Sequence, residues 1–368
     1  MDRGLYEFNM KDERPLVSLV IVSYNEIAHI NNSLEALMRQ SYPNYEIILY
    51  DNCSKDGTPE YVKEHFPKVI LIEGQENLGF GGANNEAAKI AQGKYIGFLN
   101  TDSFVAPDWL GPLVDLLEED ETIGCAGAEL LCSENNDIIL SHGTYIHLSG
   151  ISYTRDRGKK AWLGEPIEVG GISGGAFLIN RKLFLEMGGF ESVFFLYYED
   201  TDLSLRIRLL GKRCVIVPGA RIYHNCESRF GVNKIFYLER NRYLSLLTLI
   251  KGPVLVIMTP SMLMFEIFAW GYCLLGGRDA LKSKLEAWQS IYTLRDWIKA
   301  RRARYVRSNV QVDYLFQAFT PYVHIDYVAQ NNKLGFLISI IGYIVAIPAF
   351  LLMQLWRETK SLARERSA

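Results

Sequence analysis

The 368-residue sequence is poor in the features that mark several large protein classes. Its six cysteines (Cys53, Cys125, Cys132, Cys214, Cys226 and Cys273) contain no CxxC pair. That excludes a zinc ribbon, and their sparseness excludes a disulfide-built scaffold. All six are expected to be reduced thiols. Glycine (30) and proline (12) follow no period, so collagen-like and solenoid arrays are excluded. The formal net charge of −3 offers no basic surplus, and no nucleic-acid partner is expected. Residues 1–14 are polar, and the apolar run Leu16–Val22 is too short for a signal-peptide core. The catalytic part is therefore expected in the cytoplasm. Two nucleotide fingerprints are missing as well. The first strand ends in Ser23-Tyr24-Asn25-Glu26 rather than GxGxxG, and Gly79-Phe80-Gly81-Gly82 is not followed by the Lys-Ser/Thr of a P-loop.

What remains is a chain that is 49% hydrophobic and 22% charged, too apolar for disorder. Short, wholly apolar runs at Leu16–Ser23, Tyr45–Tyr50, Lys68–Glu73 and Tyr95–Leu99 alternate with helical patterns up to Glu118. This alternation predicts a doubly wound, mainly parallel α/β sheet buried on both faces. Ligands of such sheets bind beyond the carboxyl ends of the strands, so chemistry is sought there. Asp51 closes the second strand and Asp102 follows the fourth. Two carboxylates at one sheet edge can divide the work on a nucleotide, one accepting a base N–H and the other holding a divalent cation at the diphosphate. The densest polar signal is Glu199-Asp200-Thr201-Asp202, after the aromatic run Phe194–Tyr198 and at the start of a helix predicted over 200–210. Taken alone, these acids could simply suit the helix dipole, and the lone His224 could be structural.

Seven motifs occur in order over residues 15–230: Ser23–Glu26, Asp51–Thr58, Asn77–Asn85, Asn100–Asp102, Gly174–Phe177, Glu199–Asp202 and His224. Together they resemble family 2 inverting glycosyltransferases of the GT-A fold, especially the rhamnosyltransferase-like branch of cell-surface polysaccharide synthesis. The resemblance implies a nucleotide-sugar donor, dTDP-rhamnose or a UDP-sugar. Tyr24, Asn25, Glu26 and Asp51 would then meet the nucleoside. Asn77, Gly79, Phe80, Gly81 and Asn84 would line the nucleotide-sugar, with Thr101, Gly174 and Gly175 close by. Asp102 and His224 would hold Mg²⁺ or Mn²⁺, with Asn100 standing where the family has the first acid of its DxD motif. Asp200 would be the base, and Glu199 and Asp202 would orient it or bind sugar hydroxyls. Trp162, Tyr197 and Tyr198 are candidate sugar-stacking surfaces. Two other readings stay open, a non-catalytic nucleotide-sugar-binding protein and a nucleotidyltransferase.

The expected organisation is a polar segment (1–14), a catalytic domain (15–235) and a helical extension (236–368). The extension holds apolar stretches 253–277 and 334–356, each long enough to cross a bilayer. The basic residues between them (Arg278, Lys282, Lys284, Arg295, Lys299, Arg301, Arg302, Arg304 and Arg307) oppose a simple two-pass hairpin by the positive-inside tendency. Re-entrant or in-plane helices are expected ahead of a two-pass hairpin and of buried core helices, with the basic residues on anionic headgroups and a lipid-linked glycan acceptor at the cytoplasmic face of the membrane.

Overall fold

The computed structural model describes residues 14–224, 232–306, 312–322 and 340–355. The first half alternates as expected: β1 (Val17–Ser23), α1 (Ile30–Met38), β2 (Tyr45–Asp51), α2 (Thr58–His65), β3 (Ile70–Glu73), α3 (Gly79–Ile90), β4 (Tyr95–Asn100), β5 (Ser103–Val105) and α4 (Leu110–Glu119). Then follow β6 (Ile123–Cys132), β7 (Ile139–Ser141), β8 (Thr144–His147), β9 (Ser152–Thr154), β10 (Ile167–Val169), β11 (Ala176–Asn180), α5 (Arg181–Glu186), α6 (Glu199–Leu209) and β12 (Arg213–His224). The rest is largely helical: α7 (Val232–Leu249), α8 (Gly252–Leu275), α9 (Arg278–Thr293), α10 (Arg295–Val306), α11 (Val312–Gln317), the short β13 (Phe319–Thr320) and α12 (Ile340–Leu355).

The main sheet has the order β10-β12-β6-β11-β4-β1-β2-β3. Strand side chains alternate between two cores, which explains the unbroken apolar runs. Leu19, Ile21 and Leu49 pack with Leu34 of α1 and Leu113 of α4. Val20, Ile48 and Phe98 pack on the other face with Ala87 of α3 and Ile207 of α6.

The sheet is mixed where a mainly parallel one is predicted. β3-β2-β1-β4 is parallel, but β11 runs antiparallel to both β4 and β6, and β10 antiparallel to β12. Pattern alone cannot set strand direction, because a buried strand reads the same either way. The reversal has a consequence for the site. The start of β11 meets the end of β4, pairing Ala176 with Leu99, while β12 ends with His224 beside Ser103.

The helical extension is fastened to the sheet domain through α6. The sequence predicts an amphipathic α6, yet Thr201–Leu209 is buried all round, because α7 and α11 cover the side that faces away from the sheet. Asp202 lies in this covered side, completely enclosed. Its oxygens meet Arg206 at 2.8 Å, Arg301 of α10 at 2.7 Å and the Ser245 hydroxyl of α7 at 2.5 Å. Burial pushes its pKa up, but the two guanidiniums outweigh that and hold it below the ordinary carboxylate value. Lys284 and Arg301 are likewise turned inward, against the expectation of a basic face on headgroups. Lys284 pairs with Glu239 and Glu266, and Arg302 bonds the carbonyls of Leu247 and Ile250. These cations offset buried acids and helix-end carbonyls. Cys132 is disulfide-bonded, so not all six cysteines are reduced; Cys53, Cys125, Cys214 and Cys273 are free thiols.

Replacing Asp202 with Asn leaves two guanidiniums facing each other without their counter-charge. Urea unfolding of Asp202→Asn should read a loss of about 3 kcal/mol, as for other broken buried pairs.

Candidate active site

Five chemistry-bearing positions gather at the carboxyl edge of the sheet: Ser23, Asp51, Asn100, Asp102 and His224. Asp51, almost fully buried, accepts the Ser23 hydroxyl at 3.0 Å and the Ser54 N–H at 2.9 Å. Asn25 sits in the left-handed region (φ 56°), and its side-chain Oδ1 accepts the Lys55 N–H at 2.8 Å. The turns after β1 and β2 are thus locked together, with Tyr24 left half-exposed above them. Burial pushes the Glu26 carboxyl up, and the nearby charges of Asp102 and Asp56 add to this against His29.

Asp102 and His224 are in direct contact, Oδ2 to Nε2, at 2.9 Å. Burial raises the Asp102 pKa, yet the His224 bond and charge outweigh it and keep it below the ordinary value. Among the described residues no group of three or more His, Cys, Asp or Glu side chains could hold a metal ion by itself. A carboxylate and an imidazole do fit a Mg²⁺ or Mn²⁺ that takes its other ligands from phosphate oxygens and water. Thr101 is buried, and its carbonyl accepts the Ser33 hydroxyl.

From this edge a short path leads to the acids of α6. The Asn100 N–H donates to the Gly175 carbonyl at 3.4 Å, and the Gly174 N–H donates to Asp200 Oδ2 at 2.8 Å. The Thr201 N–H donates to Asp200 Oδ1 at 2.6 Å. A cavity of about 360 Å³ is lined by Asn100, Ser173, Gly174, Tyr197, Glu199 and Asp200, among others. Burial pushes Asp200 above its ordinary value despite those hydrogen bonds. Burial, reinforced by the Asp200 charge, pushes Glu199 up to about 8. A pair of neighbouring carboxyls whose environments separate their roles is a common acid–base arrangement.

Several expected residues lie elsewhere. Asp202 is outside the cavity, for the reason given above. Asn84 is buried in α3 and donates to the Phe80 carbonyl one turn back. Gly79 has a left-handed φ of 70°, and a Cβ there would come within 2.3 Å of the Phe195 carbonyl; one at Gly81 would touch Phe190. These glycines let α3 approach the Phe190–Phe195 segment closely, while Phe80 reaches the cavity. Asn77 accepts from the Gly79 N–H and from Asn52 Nδ2, both at 2.9 Å, so Asn52 organises this turn. Trp162 packs edge-on to His142, and Tyr198 is buried with its hydroxyl on the Gly150 carbonyl. Of the three aromatic candidates Tyr197 and Tyr198 line the cavity, Tyr197 exposed and Tyr198 buried.

Sequence reasoning passed over Arg240 and Asn241 of α7. The segment before α6 is strained, with Phe195, Tyr197 and Tyr198 all at φ between 63° and 74°. Asn241 Nδ2 lies 3.0, 2.9 and 2.7 Å from the carbonyls of Phe194, Leu196 and Tyr197. Arg240 Nη2 donates to the carbonyls of Val193 and Phe194, each at 2.8 Å. The signal in the sequence is the polar run Glu239–Arg242 inside an otherwise apolar helical pattern.

Residues 18–188 match the sequence model of the family described as Glycosyl transferase family 2, and this part of the chain belongs to that family. The chain is 29% identical over 241 residues to the N-acetylglucosaminyl-diphospho-decaprenol L-rhamnosyltransferase of Mycobacterium tuberculosis, covering 59% of this chain and 77% of that relative. It covers only 24% of an uncharacterized Sinorhizobium fredii protein to which it is 27% identical over 228 residues. The fold is that of S. aureus TarS residues 1–349 in complex with UDP-GlcNAc (TM-score 0.54, 15% identity, 93% of this chain and 92% of that one). It is also that of GalNAc-T7 with UDP, GalNAc and Mn²⁺ (TM-score 0.57, 20% identity, 68% of this chain and 51% of that one). The chain therefore carries a glycosyltransferase domain with a GT-A-like mixed sheet.

Removing the Asn241 amide takes a donor from the carbonyls of Phe194, Leu196 and Tyr197, of which Phe194 keeps Arg240. Asn241→Ala should lower unfolding free energy by about 1–3 kcal/mol, read by denaturant titration.

Proposed function

We propose that the chain transfers a sugar from a nucleoside-diphosphate donor to a hydroxyl of a lipid-linked glycan, with inversion at the anomeric carbon. The observation that carries this is the Asp200 carboxylate, oriented by Gly174 and Thr201 and open to a cavity that reaches the strand edge at Asn100. Asp51 with Tyr24, Asn25 and Glu26 would receive the nucleoside. A divalent cation held by Asp102 and His224 would offset the charge developing on the departing diphosphate. Asp200 takes the proton from the acceptor hydroxyl as its oxygen attacks the anomeric carbon, and the carbon–phosphate-oxygen bond breaks on the opposite face. One displacement with one base inverts the configuration.

The acceptor class is supported by the printed activity of the mycobacterial relative, and a nucleotide donor by the UDP and UDP-GlcNAc complexes of proteins with the same fold. dTDP-rhamnose is the donor we favour, with UDP-sugars as the other arm of the test.

The extension supplies a membrane-facing surface at the cytoplasmic side. α8 is one continuous 24-residue helix through Pro260, long and apolar enough to cross a bilayer. Its Glu266, however, pairs with Arg242 and Lys284, which ties it to α7 and α9. Val256, Leu263, Ile267 and Leu274 form an exposed stripe on α8, and Ile344, Leu351 and Leu355 form another on α12. An in-plane helix with one apolar stripe suits the interface better than the bilayer centre.

Incubated with a panel of nucleotide sugars, Mg²⁺ or Mn²⁺ and lipid extract, the protein should release nucleoside diphosphate. Asp200→Asn should reduce turnover by about 10²-fold or more while donor binding persists. Turnover should also fall as pH drops through the raised Asp200 pKa, because protonation removes the base. Unchanged turnover in Asp200→Asn would refute the assignment. In flotation with anionic vesicles, Ile267→Glu combined with Leu274→Glu should shift protein from the vesicle fraction to the soluble one.

A further inference from the structure

Glu199 and Asp200 begin α6 side by side, Glu199 buried and Asp200 partly open to the cavity. Two carboxylates in one desolvated place do not ionise together cheaply, so the pair keeps a proton, and hydrogen bonding decides where it resides. Asp200 accepts three hydrogen bonds: from the Gly174 N–H at 2.8 Å, the Thr201 N–H at 2.6 Å and the Thr201 hydroxyl at 3.3 Å. All three favour its charged form. Glu199 Oε2 is buried and has no hydrogen-bond partner among the described residues. As an anion, that oxygen would be a bare buried charge, among the costliest arrangements a protein can hold. As a neutral acid, it is a hydroxyl with a hydrogen still to donate.

We propose that Glu199 is the neutral member of the pair and donates its carboxyl hydrogen to an oxygen of the acceptor sugar, positioning the attacking hydroxyl against Asp200. The inference rests on the reading of this cavity as the sugar-transfer site. It narrows the acceptor to one that presents a hydrogen-bond-accepting oxygen, a hydroxyl or ring oxygen, beside the reacting hydroxyl. The groups around Glu199 agree with this. The charges acting on it are those of Asp200 and Asp202, both negative, and with burial they outweigh the opposing pull of its own backbone N–H. Beside it Tyr197 carries a phenol that burial and the Glu199 charge push up, and the buried Tyr198 adds no charge. Asn100, Ser152 and Ser173 line the cavity from the sheet side without charge. α7 contributes Leu238 to the lining, while its Lys234 lies over the Tyr197 ring at 5.1 Å.

Infrared difference spectroscopy of the full chain in H₂O and D₂O at pH 7 reads the proton directly. The wild type should show a neutral carboxylic-acid carbonyl band that Glu199→Gln removes, and the band should fade as pH rises through about 8. Absence of any such Glu199-dependent band at pH 7 would overturn the proposal. In the donor-and-lipid assay, Glu199→Ala should lower turnover by about tenfold or more. Wild-type turnover should fall as pH rises through about 8 and Glu199 loses its proton. Glu199→Gln, which keeps a donor at that position, should recover most of what Glu199→Ala loses and show no such fall. A Glu199→Gln enzyme as impaired as Asp200→Asn would show that the carboxylate form is needed and would overturn the proposal. Failure of the wild type to release nucleoside diphosphate from any donor would instead sink the transfer reading, and the infrared band would still decide the state of Glu199.

Discussion

The reversed strand β11 is the constraint on which the site depends. Because it runs against β4, its first residues return to the edge where the parallel strands end, and Gly174 and Gly175 arrive beside Asn100. With β11 parallel, the same glycines would lie at the far edge of the sheet, roughly 17 Å away for five residues. The backbone N–H of Gly174 then fixes the Asp200 carboxylate, so an acid carried on a helix is oriented by the residues that lead into a strand. β12, parallel to β6, brings His224 to the same edge and against Asp102.

The second dependence is electrostatic. α6 carries three acids in its first turn, and the fold assigns them different environments. Asp202 faces two guanidiniums and stays charged; Asp200 accepts from the Gly174 and Thr201 N–H groups and the Thr201 hydroxyl; Glu199 keeps one buried oxygen without a partner among the described residues. The helical extension creates this separation. Arg301 reaches Asp202 from α10, while Arg240 and Asn241 of α7 hold the strained aromatic segment that aims the start of α6. The extension is thus part of the site's support, and its own ion network (Glu239, Arg242, Glu266 and Lys284) keeps α8 against α7 and α9. Left-handed backbone at Phe195, Tyr197 and Tyr198 is affordable only because these carbonyls are tied down.

The first half of the sheet was legible in the sequence because strands buried on both faces leave unbroken apolar runs, and their terminal Asp51 and Asn100-Thr101-Asp102 stand out against them. Glu199 and Asp200 were legible by their density beside aromatics. Asp202 could have been separated from them, since two residues along a helix turn a side chain by roughly 200°, so Asp200 and Asp202 face opposite sides. The glycines at 79 and 81 were expected to line the nucleotide-sugar, yet their neighbours Phe190 and Phe195 lie over a hundred positions away in the chain. Lys284 and Arg301 looked like surface charge because their partner acids belong to other elements of the chain. Strand direction at β11 left no trace in the pattern.

Everything turns on the strand edge at Asp102 and His224 and the cavity at Asp200 serving one bound donor. A structure of the chain with UDP and Mn²⁺ soaked in tests this most directly. The account predicts the cation ligated by Asp102 and His224, with the terminal phosphate turned toward the Asp200 cavity. A nucleotide seated elsewhere, or a cation bound without Asp102 and His224 as ligands, would contradict it.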